Sequence, residues 1–154
     1  MAEVSPLTPQ IKSLIGVEWE PIICEVEKGG IRRFAQAIED RNPLWQDEQK
    51  AKQSRYGGII APPTFIPLSN MNQEIYAPVL EAECPLTRPL NAGCELEFFE
   101  PIRPGDTITV VGKLVNAEEK AGKMGKMLLL DVEMTFTNER GDLAAKARLS
   151  LFKY

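Results

Sequence analysis

The second half of the chain carries a two-residue alternation that restricts the folds open to it. Leu128, Leu130, Val132, Met134 and Phe136 alternate with Asp131, Glu133 and Thr135, and Leu143, Ala145, Ala147, Leu149 and Leu151 repeat the rhythm. Successive side chains of a strand point to opposite faces, so this is the pattern of an antiparallel sheet with one buried face. Gly93–Glu100 and Thr107–Asn116 also have strand composition. Pro104-Gly105 and Glu139-Arg140-Gly141 are turn signals, and Ala121-Gly122-Lys123 falls in a longer hairpin loop.

A sheet with one apolar face needs a cover, and the segment before it supplies one. Thr64 is placed to cap a helix from Phe65 to about Tyr76, with Pro67 tolerated in the first turn and Pro78 as the stop. Phe65, Leu68, Met71, Ile75 and Val79 make one apolar stripe along it. The expected fold is α+β, an antiparallel sheet wrapped around one long central helix, in a single domain over residues 1–154. The small alanines of the last strand let the helix approach. Open strand edges predict pairing with a second copy or another chain.

Upstream, Thr8-Pro9 followed by Ile11, Leu14, Ile15 and Gly16 reads as a short capped helix. Trp19–Val26 has strand character, with Trp19, Ile23 and Cys24 as its buried candidates. Lys28-Gly29-Gly30 breaks it, and Ile31, Phe34, Ala35 and Ile38 then fall on one helical face. Asn42-Pro43 ends that helix. Asp47 caps a second short one anchored by Ala51. Gly57-Gly58 gives a sharp bend where backbone passes close to something else.

Charge and residue content exclude several functions. A net charge of −4 argues against nucleic-acid or anionic-membrane binding. No apolar run reaches the roughly 20 residues of a membrane span. The N-terminus lacks a signal-peptide pattern, and three scattered cysteines (Cys24, Cys84, Cys94) read as reduced thiols, so a cytoplasmic protein is expected. The chain has no histidine, which leaves no metal site in prospect. Lys120, Lys123 and Lys126 read as a solvated hairpin run, with phosphate binding as the alternative. An acid (Asp40), an amide (Asn42) and an aromatic (Trp45) within six residues mark the loop where a site is expected.

The runs DRNPLWQDEQKA (Asp40–Ala51), YGGIIAPPTF (Tyr56–Phe65), EPIRPGDTI (Glu100–Ile108) and TNERGDL (Thr137–Leu143) resemble the MaoC-like hot-dog hydratases and dehydratases. Those enzymes add or remove water at the double bond of acyl thioesters. The resemblance implies substrate contacts at Asp40, Asn42, Trp45 and Tyr56, and at Gly58, Ile60, Ala61 and Phe65. It implies an acyl-CoA or acyl carrier protein thioester as ligand, with no cofactor. Active members pair an aspartate at the position of Asp40 with a histidine five residues on, where this chain has Trp45. Indole has an N–H donor and no basic nitrogen, so it cannot take a proton from water. They also carry a histidine-glycine pair at Pro62-Pro63, whose glycine amide donates to the thioester oxygen; proline has no such hydrogen.

Both departures are similar to the non-catalytic halves of the family: the N-terminal half of fused double hot-dogs and the accessory subunit of two-chain dehydratases. The implied partner is a catalytic, histidine-bearing MaoC-like hot-dog subunit in a heterodimer, with a homodimer or higher homo-oligomer as the alternative. No catalytic residue is expected, Asp40 being the one candidate left. A stand-alone hydratase or thioesterase using Asp40 alone, and a non-enzymatic acyl-thioester binding module, are the competing readings.

Overall fold

The computed structural model describes residues 5–65, 73–122 and 125–154. Five strands form one antiparallel sheet: β1 (Ile22–Glu25), β2 (Pro89–Phe98), β3 (Thr107–Gly122), β4 (Gly125–Thr137) and β5 (Leu143–Lys153), in the order β1-β3-β4-β5-β2. Register explains the sequence rhythm. Val110 lies opposite Phe136, and Phe136 opposite Ala145, so the apolar positions of three strands share one face. Leu128, Leu130, Val132 and Phe136 are fully buried there with Ile108, Leu114 and Ala145. Ala145 and Ala147 belong to the same core cluster as Ile75, Tyr76 and Val79 of the helical layer.

Five described helices precede the long strands: α1 (Pro9–Leu14), α2 (Lys28–Ala37), α3 (Pro43–Gln46), α4 (Glu48–Gln53) and α5 (Gln73–Leu80). Thr8 caps α1 through its hydroxyl, and Asp47 caps α4 by accepting from the Gln49 and Lys50 amides, with Ala51 fully buried. Phe65 is helical and buried. The proposed Thr64 cap, Pro67, Leu68 and Met71 concern residues 66–72, which lie outside the described residues, as does Lys123.

Several expectations are corrected. Pro78 does not stop the helix: it sits inside α5, and Glu81 N–H donates to the Ala77 carbonyl at 2.8 Å beyond it. Pro78 lacks the N–H for one intrahelical bond, and the end of the helix is held separately by the buried Lys153 Nζ, which donates to the Leu80 carbonyl at 3.0 Å. The strand ends at Glu25, ahead of Lys28-Gly29-Gly30 as expected, and those three residues form the first turn of α2. A Cβ at Gly30 would meet the Phe65 ring at 3.5 Å, and Phe65 packs edge-on against Phe34 with centroids 5.5 Å apart. The Trp19–Val26 strand shrinks to Ile22–Glu25, with Ile23 60% exposed while Ile22 and Cys24 pack on the core. Ile38 is exposed rather than part of the buried α2 face. β3 and β4 pair as far as Gly122 and Gly125, so Ala121 and Gly122 belong to the strand rather than to a longer hairpin loop.

Candidate functional site

The loop after α2 folds around one carboxylate. Asp40 Oδ1 accepts from the Asn42 amide at 2.9 Å, and Oδ2 accepts from Trp45 Nε1 at 2.8 Å. The Asp40 backbone carbonyl accepts from Gln46 Nε2 at 2.8 Å. Asn42 turns the chain into α3 by accepting from the Leu44 amide, and Pro43 occupies the first helical position, where no amide is needed. Trp45 is buried at 8% exposure. Its single polar hydrogen is therefore committed to Asp40, and each oxygen of Asp40 already holds a donor.

Ile60 and Ala61 form the next wall. Both are buried, and both amides are engaged: Ile60 N–H donates to the Leu44 carbonyl at 3.2 Å and Ala61 N–H to the Ile102 carbonyl at 2.7 Å. Pro62 and Pro63 have no amide hydrogen. From Ile60 to Pro63, then, no backbone donor remains for a developing oxyanion. The Pro62 carbonyl in turn accepts from Phe65 N–H at 2.9 Å.

Seven of the eight expected contact residues fall into two groups, and the eighth, Phe65, is buried against Phe34. Asp40, Asn42 and Trp45 cluster in one hydrogen-bonded loop, joined to Ile60 and Ala61 through Leu44. Tyr56 and Gly58 lie toward the surface. The Tyr56 hydroxyl accepts from Arg55 and its carbonyl from Arg103 Nη1, at 2.6 and 2.8 Å. Gly58 lines a shallow concavity of about 330 Å³ with Lys28, Glu48, Lys52 and Arg103. Nothing lies within 4 Å of a Cβ built at Gly57 or Gly58, so the close approach expected there is absent; Gly57 serves a left-handed backbone, φ +68°. Gln46 and Arg103 escaped the sequence reading. Arg103 stands in the EPIRPGDTI run, but its reach to Tyr56, 47 positions away, is a tertiary fact.

A larger concavity, about 570 Å³, lies on the sheet face away from the core and includes none of the eight. Among the described residues, no cluster of three or more histidine, cysteine, aspartate or glutamate side chains is placed to hold a metal ion, and no helix is long and apolar enough to cross a membrane.

The model of the FAS1-like dehydratase domain region matches residues 13–147 of the chain. The chain belongs to this family. The FAS1-like dehydratase-region chain is 32% identical over 147 residues to a UPF0336 protein of Saccharopolyspora erythraea, spanning 93% of this chain and 90% of that relative. It is similar in structure to a chain of the ChsH1-ChsH2 complex of Mycobacterium tuberculosis, with a TM-score of 0.79, 17% identity and coverage of 94% and 89%. The truncated HadBC (3R-hydroxyacyl-ACP dehydratase) complex of the same organism gives 0.74, 20%, 90% and 96%. A MaoC-like dehydratase of Rhodospirillum rubrum gives 0.69, 22%, 91% and 92%. The fold of this FAS1-like chain is the hot-dog that it shares with the MaoC-like dehydratase and the HadBC complex.

Proposed function

We propose that this chain is the non-catalytic hot-dog of a two-chain enoyl-thioester hydratase or 3-hydroxyacyl-thioester dehydratase. Its partner is a second hot-dog chain that carries the acid–histidine pair. The observation behind this is the Trp45–Asp40 hydrogen bond. The residue in the base's position spends its only nitrogen as a donor to the acid and has no basic nitrogen left to take a proton from water. Removing a general base costs ~10²–10⁴ in rate. An absent oxyanion donor costs a further ~10²–10³. The engaged amides of Ile60 and Ala61 and the two prolines after them add that second deficit.

The surface supports a partner. β2 ends the sheet, and along it only Leu96 is half-buried while its other residues are exposed. Leu90, Phe98 and Phe99 leave 43–47% of their area open there. An apolar strand edge of this length is a place for another chain. Two of the similar structures are complexes of two named components. In this reading Asp40, Asn42, Trp45, Ile60, Ala61 and Phe65 support or line the acyl-thioester channel, and the companion chain does the chemistry.

The test is hydration of crotonyl-CoA and longer enoyl-CoA thioesters by the purified chain, alone and co-purified with a histidine-bearing hot-dog chain. Activity is expected only in the second case. Steady turnover by the chain alone, abolished in Asp40→Asn, would instead establish a stand-alone enzyme.

A further inference from the structure

We propose that the concavity beside Gly58 binds a phosphate group, and that this is where the phosphorylated carrier of the thioester is held. The second half of that statement rests on the function proposed above; the first does not.

The cavity is lined by Lys28, Lys52 and Arg103 against one acid, Glu48, a local excess of positive charge on a chain of net −4. The larger groove on the outer sheet face has the opposite balance, with Lys113, Lys146 and Arg148 against Glu18, Glu95, Glu97 and Glu133. Lys28 is paired with Glu48. Lys52 and Arg103 have no carboxylate within ion-pair distance among the described residues. Arg103 is fixed by its bond to the Tyr56 carbonyl, which uses Nη1 and leaves other guanidinium hydrogens available.

The backbone adds to the side chains. Gly57 is left-handed, and the amides of the next two residues, Gly58 and Ile59, donate to no described residue. Successive amides around a left-handed residue are a common basis for anion-binding concavities. The space over Gly57 and Gly58 is empty of protein within 4 Å of a Cβ. A tetrahedral anion matches two free cations, two free amides and a floor without side chains. Lys120 of the hairpin, by contrast, is already paired with Glu118. The basic concavity also adjoins the acyl site, since Ile59 leads directly into Ile60, whose amide binds Leu44.

Phosphate reaches such a site from a nucleotide carrier or from a phosphopantetheine arm on a carrier protein. The test is titration of the full chain at low salt with adenosine 3′,5′-bisphosphate, pantetheine 4′-phosphate and inorganic phosphate, followed by calorimetry. Saturable binding is expected that falls with added salt. It should weaken by about tenfold in Lys52→Glu and in Arg103→Gln, the loss of one charge-assisted contact, while Lys120→Glu leaves it unchanged. Gly58→Val, whose Cβ would have no protein atom within 4 Å, should block it without loss of stability. Preference for the bisphosphate assigns a nucleotide carrier, and preference for pantetheine phosphate a protein-borne one. No binding of any probe, or binding indifferent to Lys52→Glu and Gly58→Val, overturns the site. Neither organic probe carries an acyl group. Binding that follows these variants while the two-chain assay stays silent would therefore keep the phosphate site and reject the thioester role.

Discussion

The Trp45 indole hydrogen points at Asp40 Oδ2 across 2.8 Å, so two residues five apart in one loop hold each other in place. Hydrogen bonds to a charged group contribute about 1.5–3 kcal/mol. Trp45→Phe should therefore destabilise the chain by at least that amount, since Oδ2 loses its indole donor and some packing goes with it. Asp40→Ala should cost a similar amount by releasing the Asn42 amide as well. The double variant should cost less than the sum, with a coupling of about 1–3 kcal/mol in urea unfolding. Strict additivity would mean that the bond contributes nothing.

Restoring the base alone should not make an enzyme. Trp45→His supplies an imidazole near Asp40, yet the amides of Ile60 and Ala61 stay bound to Leu44 and Ile102, and Pro63 still lacks a hydrogen. The absent donor is worth ~10²–10³ in rate. Enoyl-CoA hydration by the Trp45→His chain on its own should stay at least ~10²-fold below that of the two-chain assembly. A rate within tenfold of the assembly would show that another group stabilises the oxyanion.

These two residues also show what the sequence makes legible. A loop of acid, amide and aromatic is local information, and it folds as a local unit, Asp40 to Gln46, with Asn42 and Asp47 as caps. The β4 and β5 alternation is equally local and marks those strands to within a residue. What stayed hidden depends on distant partners. Gly30 lies inside a helix with the distant Phe65 ring against it, Ile23 is exposed because β1 is a four-residue edge strand, and Pro78 is kept in a helix whose end Lys153 holds. The split of seven expected contacts into a loop cluster and a surface group likewise rests on Arg103 and Ile102, reaching back from beyond β2.

Gly112 is a glycine because Trp19 lies on it. A Cβ there would sit 2.7 Å and 2.9 Å from two atoms of the indole ring, which is a rigid plate rather than a flexible tip. The same two residues are joined by Trp19 N–H donating to the Gly112 carbonyl at 2.9 Å. Gly112→Ala must push ring and strand apart, an overpacking cost of about 1–3 kcal/mol. A shift of the thermal midpoint smaller than the scatter among exposed-site variants would show that the ring moves freely.

Asp131 is the acid whose ionisation should set part of the acid stability. Burial pushes its carboxyl up, but hydrogen bonds from Ser150, Asn116 and Arg148 together outweigh that and hold it below the usual range. A depressed folded pKa means that the unfolded chain takes up its proton first. The stabilisation is present above about pH 4, the unfolded value, and is lost as pH falls through the lower folded value. Asp131→Asn should lower stability at pH 7 by roughly 2–4 kcal/mol and flatten its decline below about pH 4. Equal slopes for both proteins would remove Asp131 from the linkage.

At the other end of the pH scale the group is Tyr76, 6% exposed, with no described partner for its hydroxyl. Burial first, and then the nearby Cys94 thiolate, push the phenol up to about 12. An unfolded tyrosine titrates near 10. Between these values the unfolded chain has lost the proton that the folded chain keeps, so stability falls as pH rises from about 10 to about 12. Two units of difference correspond to about 2–3 kcal/mol once both forms have titrated. Tyr76→Phe should abolish that share of the alkaline decline. It should also raise stability at pH 7 by about 1–3 kcal/mol, the desolvation cost of a hydroxyl with nothing to bind. Urea midpoints for both proteins at pH 7, 9, 10.5 and 11.5 give the comparison. An unchanged alkaline slope, or a loss at pH 7, would mean that the hydroxyl has a partner after all.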